Sequence, residues 1–192
     1  QYLDYLMFAL QTLSDDLATV SYRSVGKQLA PLIVRTRGHR LEGMWHAGSP
    51  MGMILNSLKG ILVLTPRNMV QAAGMYNTLL ACSDPALIIE PLNAYRLKEK
   101  EPNNIGEFNV LLGHVEYISK GKDITVVSYG STLKLVEKAI IELLKHDIEI
   151  ELIDIQTLIP IDINMDIVKS LEKTNKLLII DEDFPGGASS HI

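Results

Sequence analysis

Ile61-Leu62-Val63-Leu64, the segment from Pro66 to Ala81, and Ala86-Leu87-Ile88-Ile89 together decide the fold class of this chain. Both short runs are apolar at consecutive positions, which suits strands buried on two faces rather than the alternation of a half-exposed strand. Between them Met69, Ala72, Ala73, Tyr76 and Leu80 recur three or four apart and predict a helix. Strand, helix, strand with such strands is the pattern of a parallel sheet covered by helices. The expectation is an α/β fold.

Upstream, Leu6, Leu10, Leu13 and Leu17 give Gln1 to Thr19 the spacing of a helix with one buried face. Leu32-Ile33-Val34 reads as a short strand, and the polar stretch Arg35 to Ser49 as a long loop. Pro50 then suits the first turn of a helix through Ser57, with Ser49 as its cap. Downstream, the apolar pattern lapses from Pro91 to about Gly113. Lys98-Glu99-Lys100-Glu101-Pro102-Asn103-Asn104 is read as an interdomain linker, a long surface loop within one domain being the alternative. Val115, Tyr117 and Ile124 to Tyr129 then predict strands. Ser131-Thr132 can cap a helix on Leu133, Val136, Ala139, Ile140, Leu143 and Leu144. Ile148 to Ile155 and Leu177 to Ile180 predict further strands, with a helix inside Pro160 to Leu171. The second half is also α/β. Two separately packed three-layer α/β/α domains with mostly parallel sheets are expected.

Composition narrows the partners. At 192 residues, 47% hydrophobic and 21% charged, the chain can bury a sizeable core. Its net charge of −5 and lack of a basic block exclude nucleic acid as an expected partner. No stretch approaches the roughly 20 apolar residues of a membrane span. The single cysteine, Cys82, cannot form an internal disulfide; it reads as a buried, inert thiol in a cytoplasmic chain with no signal-peptide pattern. The sequence begins without Met inside an apolar segment and stops soon after Gly186-Gly187, so a fragment of a longer chain is expected.

Self-sufficient chemical motifs are lacking in the sequence: no Gly-Lys-Ser/Thr phosphate loop, and no Cys or His pair at metal-ligand spacing. Tyr129-Gly130-Ser131 reads as a strand-to-helix turn in preference to an anion site. Arg35 to Pro50 is different, holding three Arg, two His and the only Trp directly after a strand. Ligands bind beyond the carboxyl ends of strands in α/β sheets, so this stretch is either a site or a surface loop in which Trp45 plugs an apolar dip. A Tyr on an apolar helix face, such as Tyr5, reads from spacing alone as core.

Several motifs then occur in family order: Tyr2-Leu3-Asp4-Tyr5, Tyr22-Arg23-Ser24, Val34-Arg35, Trp45-His46-Ala47-Gly48-Ser49-Pro50, Pro66-Arg67-Asn68 and Glu90-Pro91 with Tyr95-Arg96. In the second half come Gly121-Lys122-Asp123-Ile124-Thr125, Tyr129-Gly130, Ile153 to Pro160, and Glu182 with Gly186-Gly187. Over essentially the whole chain these resemble the beta subunit, or the beta part of a fused alpha–beta chain, of the thiamine-diphosphate-dependent 2-oxo acid dehydrogenase decarboxylating component.

That resemblance implies the C-terminal part of a pyrimidine-binding domain over 1–92, a linker over 93–112 and a transketolase C-terminal domain, truncated at its end, over 113–192. It implies oxidative decarboxylation of a branched-chain 2-oxo acid or pyruvate, with acyl transfer to lipoyl. His46 falls where the catalytic histidine facing the cofactor and the lipoyl group is found, and Tyr5 where an aromatic packs on the cofactor's pyrimidine. Thiamine diphosphate is implied with its diphosphate and Mg2+ held by the alpha part. The implied partners are an alpha subunit or domain, a second beta copy and a lipoyl acyltransferase. The cofactor-activating glutamate is expected upstream of Gln1, so the chain alone is expected to be inactive. The Gly38 to Met44 stretch departs from the family pattern, and no substrate role is assigned to its arginines or to His39. Two alternatives share these domains: a non-catalytic dimerisation and docking module, and a transketolase or deoxyxylulose-phosphate synthase.

Overall fold

β1 (Ile33–Gly38), β2 (Leu62–Leu64) and β3 (Ala86–Pro91) run parallel, with β3 in the middle, and the two-sided apolar runs of β2 and β3 suit strands inside such a sheet. The computed structural model describes residues 2–38, 49–183 and 186–192. The registry pairs Arg37 with Glu90 and Gly38 with Pro91, so Arg35 to Gly38 belong to a strand and not to the loop read from their polarity. Backbone pairing with β3 overrides side-chain character there.

Helices cover both faces of this sheet. On one lies α3 (Met69–Leu80), capped by Asn68, whose side-chain oxygen accepts from Gln71 N at 2.8 Å. Its Met75 and Leu79 pack on Leu64, Ala86 and Ile88. On the other lie α2 (Met51–Ser57) and two helical segments, a 3-10 helix at Leu3–Ala9 and a π-helix at Thr12–Leu17. They replace the single regular helix expected before Thr19, yet Leu3 and Leu13 are buried and Leu6, Leu10 and Leu17 pack on the same cluster. A short α1 (Val20–Arg23) follows. Pro50, not Ser49, occupies the cap position of α2, and the Ser49 hydroxyl makes no capping bond.

The second sheet has the order β4-β6-β5-β8, built from β4 (Glu116–Ser119), β5 (Ile124–Ser128), β6 (Ile150–Asp154) and β8 (Leu177–Ile179). β5, β6 and β8 are parallel, and β4 is antiparallel to β6. Period-two alternation sends Val126, Ile150 and Leu152 to α4 (Thr132–Leu144), where Leu133, Val136 and Ile140 meet them. The other face carries α5 (Asp166–Thr174), held by Thr125, whose hydroxyl lies 2.6 Å from that of Ser170 and 2.7 Å from that of Thr174. Both sheets are thus α/β, mostly parallel and helix-covered.

The two units do not pack separately. A short strand unforeseen from the sequence, β7 (Thr157–Ile159), leaves the second unit and pairs antiparallel with β2, extending the first sheet. Val127, Tyr129, Ile153, Ile155 and Leu158 join one apolar cluster with Leu3, Met51, Ile54, Leu55, Val63 and Leu87. Burying one such aliphatic side chain contributes about 1.5–3 kcal/mol, so the shared cluster ties the units firmly. The stretch between them also packs: a Cβ on Gly74 of α3 would stand 2.5 Å from Phe108 Cε2, and Asn77 Nδ2 donates to the carbonyls of Ile105 and Phe108. No helix among the described residues is long and apolar enough to cross a membrane.

Candidate functional site

A cavity of about 530 Å³ opens between α3 and the carboxyl end of β3. Met69, Ala72, Ala73 and Tyr76 of α3 form one wall; Ala94, Tyr95 and Leu97, in and just after a 3-10 turn at Leu92–Arg96, form the other. These α3 residues belong to the stripe whose spacing predicts the helix from sequence. The buried residues of the helix are instead Gln71, Gly74, Met75 and Leu79. The helix is turned so that its second apolar stripe faces the cavity.

At the floor stands Glu90, whose side chain is 10% exposed. Its Oε1 accepts from Arg35 Nε at 2.8 Å and from the Tyr76 hydroxyl at 2.6 Å, while its Oε2 accepts from the Tyr95 hydroxyl. Burial by itself pushes the Glu90 carboxyl up, but the bonds from Arg35, Tyr76 and Tyr95 outweigh it and hold the group below the usual carboxylate range. Burial and the hydrogen bond to Glu90 raise both tyrosines above theirs. The cluster is therefore an ionised carboxylate wrapped by donors, with one guanidinium turned toward solvent. Among the described residues no group of three or more His, Cys, Asp or Glu could hold a metal ion.

A second polar network joins the units. Arg67 Nη1 donates to Glu116 Oε2 and Asp154 Oδ2, each at 2.7 Å, and Nη2 donates to Glu116 Oε1 at 2.8 Å. Gln71 Nε2 donates to Asp154 Oδ2 and to Gln156 Oε1, both at 2.8 Å. Full burial pushes the Asp154 carboxyl up, and Gln71, Arg67 and the Gln156 amide pull it back.

Of the residues singled out from sequence, His46 lies outside the described residues, as do Trp45, His39 and Arg40. Tyr5 is 44% exposed and not core, its ring set edge-on to that of Tyr2 at 6.5 Å. It does not line the cavity. Arg35 does, whereas Arg37 stacks on Tyr2. Cys82 is half-buried, not buried, because it follows the last turn of α3, in the connection to β3. Tyr129-Gly130-Ser131 is the strand-to-helix turn expected, with Gly130 at φ 58° and the Tyr129 hydroxyl donating to Asp181 Oδ1 at 2.6 Å. Sequence reading gave no chemical role to Tyr76, Glu90 or Tyr95. The available signal was Glu90 directly following an apolar strand, a charged residue at a carboxyl edge.

With this geometry in hand, comparisons with known proteins agree across the chain. Residues 113–192 match the family model of the transketolase C-terminal domain. The pyruvate dehydrogenase E1 component subunit beta of Staphylococcus epidermidis is 30% identical over 185 residues, covering 95% of this chain and 56% of that protein. Its namesake in Acholeplasma laidlawii is 29% identical over 167 residues, covering 86% and 50%. The chain thus spans about half the length of the curated relatives it matches. A solved structure titled "Split gene transketolase, inactive beta4 tetramer" superposes with a TM-score of 0.68 at 17% identity, covering 95% of this chain and 58% of that one. That likeness concerns the fold alone. Residues 113–192 are thus similar to the transketolase C-terminal domain, and the chain as a whole is similar to pyruvate dehydrogenase E1 beta subunits.

Proposed function

We propose that this chain is the beta-type part of a thiamine-diphosphate-dependent 2-oxo acid dehydrogenase, in the component that decarboxylates the 2-oxo acid and passes the acyl group to lipoyl. The observation that carries the reading is the 185-residue similarity to a pyruvate dehydrogenase E1 beta subunit, which runs through both units in order. The substrate is a branched-chain 2-oxo acid or pyruvate, and the compartment is the cytoplasm. In this reading 1–92 is the pyrimidine-binding part, 93–112 the connection and 113–192 the C-terminal domain.

Tyr5 is the described residue that fits the cofactor: its exposed ring offers an aromatic face beside Tyr2 for an aminopyrimidine. When bound, thiamine diphosphate supplies the nucleophilic carbon and the electron sink for decarboxylation. The alpha subunit or domain holds its diphosphate and Mg2+. His46 handles the proton at the lipoyl sulfur, a task suited to imidazole because its ordinary pKa of about 6.5 lets it give or take a proton near neutrality. A second beta copy and the lipoyl acyltransferase complete the assembly.

The test is reconstitution of the chain with its alpha part, thiamine diphosphate and Mg2+. Two assays follow: 2-oxo acid turnover with an artificial electron acceptor, and acylation of a free lipoyl domain. Activity in both supports the reading. Ketol transfer between sugars without 2-oxo acid turnover would reassign the chain to a transketolase activity. No cofactor-dependent signal in any assay would reduce it to a docking module.

A further inference from the structure

Arg35 and Arg37 lie two apart on β1, the edge strand of the first sheet, so their side chains leave the same face. With Thr36 and Tyr95 they line a small cleft of about 170 Å³, which shares Arg35 and Tyr95 with the larger cavity. Their charges are balanced differently. Arg35 is paired through Nε to Glu90, and both oxygens of Glu90 are already engaged. The remaining contact of its guanidinium among the described residues is a long one, Nη2 to the Tyr95 hydroxyl at 3.4 Å. Arg37 has no carboxylate partner among the described residues. Its guanidinium carbon sits 4.4 Å from the centre of the Tyr2 ring, and its Nε is buried without a hydrogen-bond acceptor.

Stacking on Tyr2 fixes the Arg37 plane and occupies one of its faces, which leaves the edge of the guanidinium for hydrogen bonding. A buried donor without an acceptor is unfavourable, and a positive charge without a counter-charge adds to that cost. Both open groups are cationic donors, so the complementary ligand is an anionic acceptor. The cleft's size limits it to a compact head group. The net charge of the chain, −5, gives no general attraction for anions, so recognition has to be local.

We propose that Arg35 and Arg37 form a binding site for a small oxyanion, a carboxylate or a phosphate group. The site stands on these two side chains and does not depend on the decarboxylase reading.

The test uses the full chain with 15N-labelled arginine, following the Nε–H resonances of Arg35 and Arg37 during titration with sodium phosphate and, separately, sodium acetate at constant ionic strength. A saturable shift at Arg37 is expected. Saturation by phosphate alone assigns a phosphoryl ligand, by acetate alone a carboxylate, and by both a general oxyanion site. In calorimetry Arg37→Gln should weaken binding about tenfold, the loss of one charge-assisted hydrogen-bonding group. Arg37→Lys, which keeps the charge and spares the fold but loses the planar fork, should fall in between. Arg23→Gln, at an exposed arginine elsewhere, should bind like the parent chain. Absence of a saturable shift with either anion, or equal affinity in the parent, Arg37→Gln and Arg37→Lys, would overturn the site.

Discussion

Arg67, in the turn before α3, places Nη1 2.7 Å from Oδ2 of Asp154 at the end of β6, joining the two units through a carboxylate that is fully buried. The same guanidinium grips Glu116, and Gln71 donates to Asp154 from one turn along. Removing one partner of such a pair strands the other charge. Arg67→Met should therefore destabilise the chain by about 3–5 kcal/mol, as measured by urea denaturation. A cost below about 1 kcal/mol, the range of exposed pairs, would mean that the pair is not closed in solution.

Limited proteolysis should cut first within 98–104, which is exposed and lacks regular structure. The two pieces should then stay together in gel filtration, because β7 is a strand of the first sheet and Leu158 sits in the shared cluster. Separation of the pieces under native conditions would contradict that shared core.

Gly74→Ala should loosen the stretch that follows. Its new methyl would stand 2.5 Å from Phe108 Cε2 and 2.9 Å from Val110 Cγ2, so both must move. Overpacking of this kind costs about 1–3 kcal/mol. Faster cleavage near 104–110 should accompany the loss. An unchanged cleavage rate would show that this segment is not held against α3.

Glu90 makes stability depend on acid. Its carboxyl titrates lower in the folded chain than in the unfolded one, so its contribution is complete above the ordinary glutamate value, about 4.3, and is lost as the pH falls through the depressed folded value. The stability difference between the parent and Glu90→Gln should be constant near neutrality and shrink below pH ~4.3. A difference that does not change over that range would mean that Glu90 is not an ionised, donor-wrapped carboxylate.

In the reconstituted enzyme His46→Ala should lower lipoyl acylation by about 10²–10⁴, the range for a general acid–base group. Cofactor affinity should change little, since the pyrimidine and diphosphate contacts are assigned elsewhere. Equal rates in the parent and the variant would mean that His46 has no part in the transfer.

The sequence by itself determined the fold class. Ile61 to Leu64 and Ala86 to Ile89 are apolar at every position, and only a sheet covered on both sides accepts such runs, so the parallel β2–β3 pair was legible. The family motifs were legible for a similar reason, because they are short strings with their own order. Which apolar stripe of α3 faces the core was not legible. Met69, Ala72, Ala73 and Tyr76 have as good a helical period as Gly74, Met75 and Leu79, and the choice rests on how closely α3 approaches β2 and β3. The strand at Thr157–Ile159 was also hidden, since its partner β2 lies far off in sequence and its pairing depends on Gln156 turning the chain at φ 61°. The cluster around Glu90 needed the fold as well: Arg35, Tyr76, Glu90 and Tyr95 come from four elements, and a carboxylate stays ionised in a buried place only where tertiary packing brings donors to it.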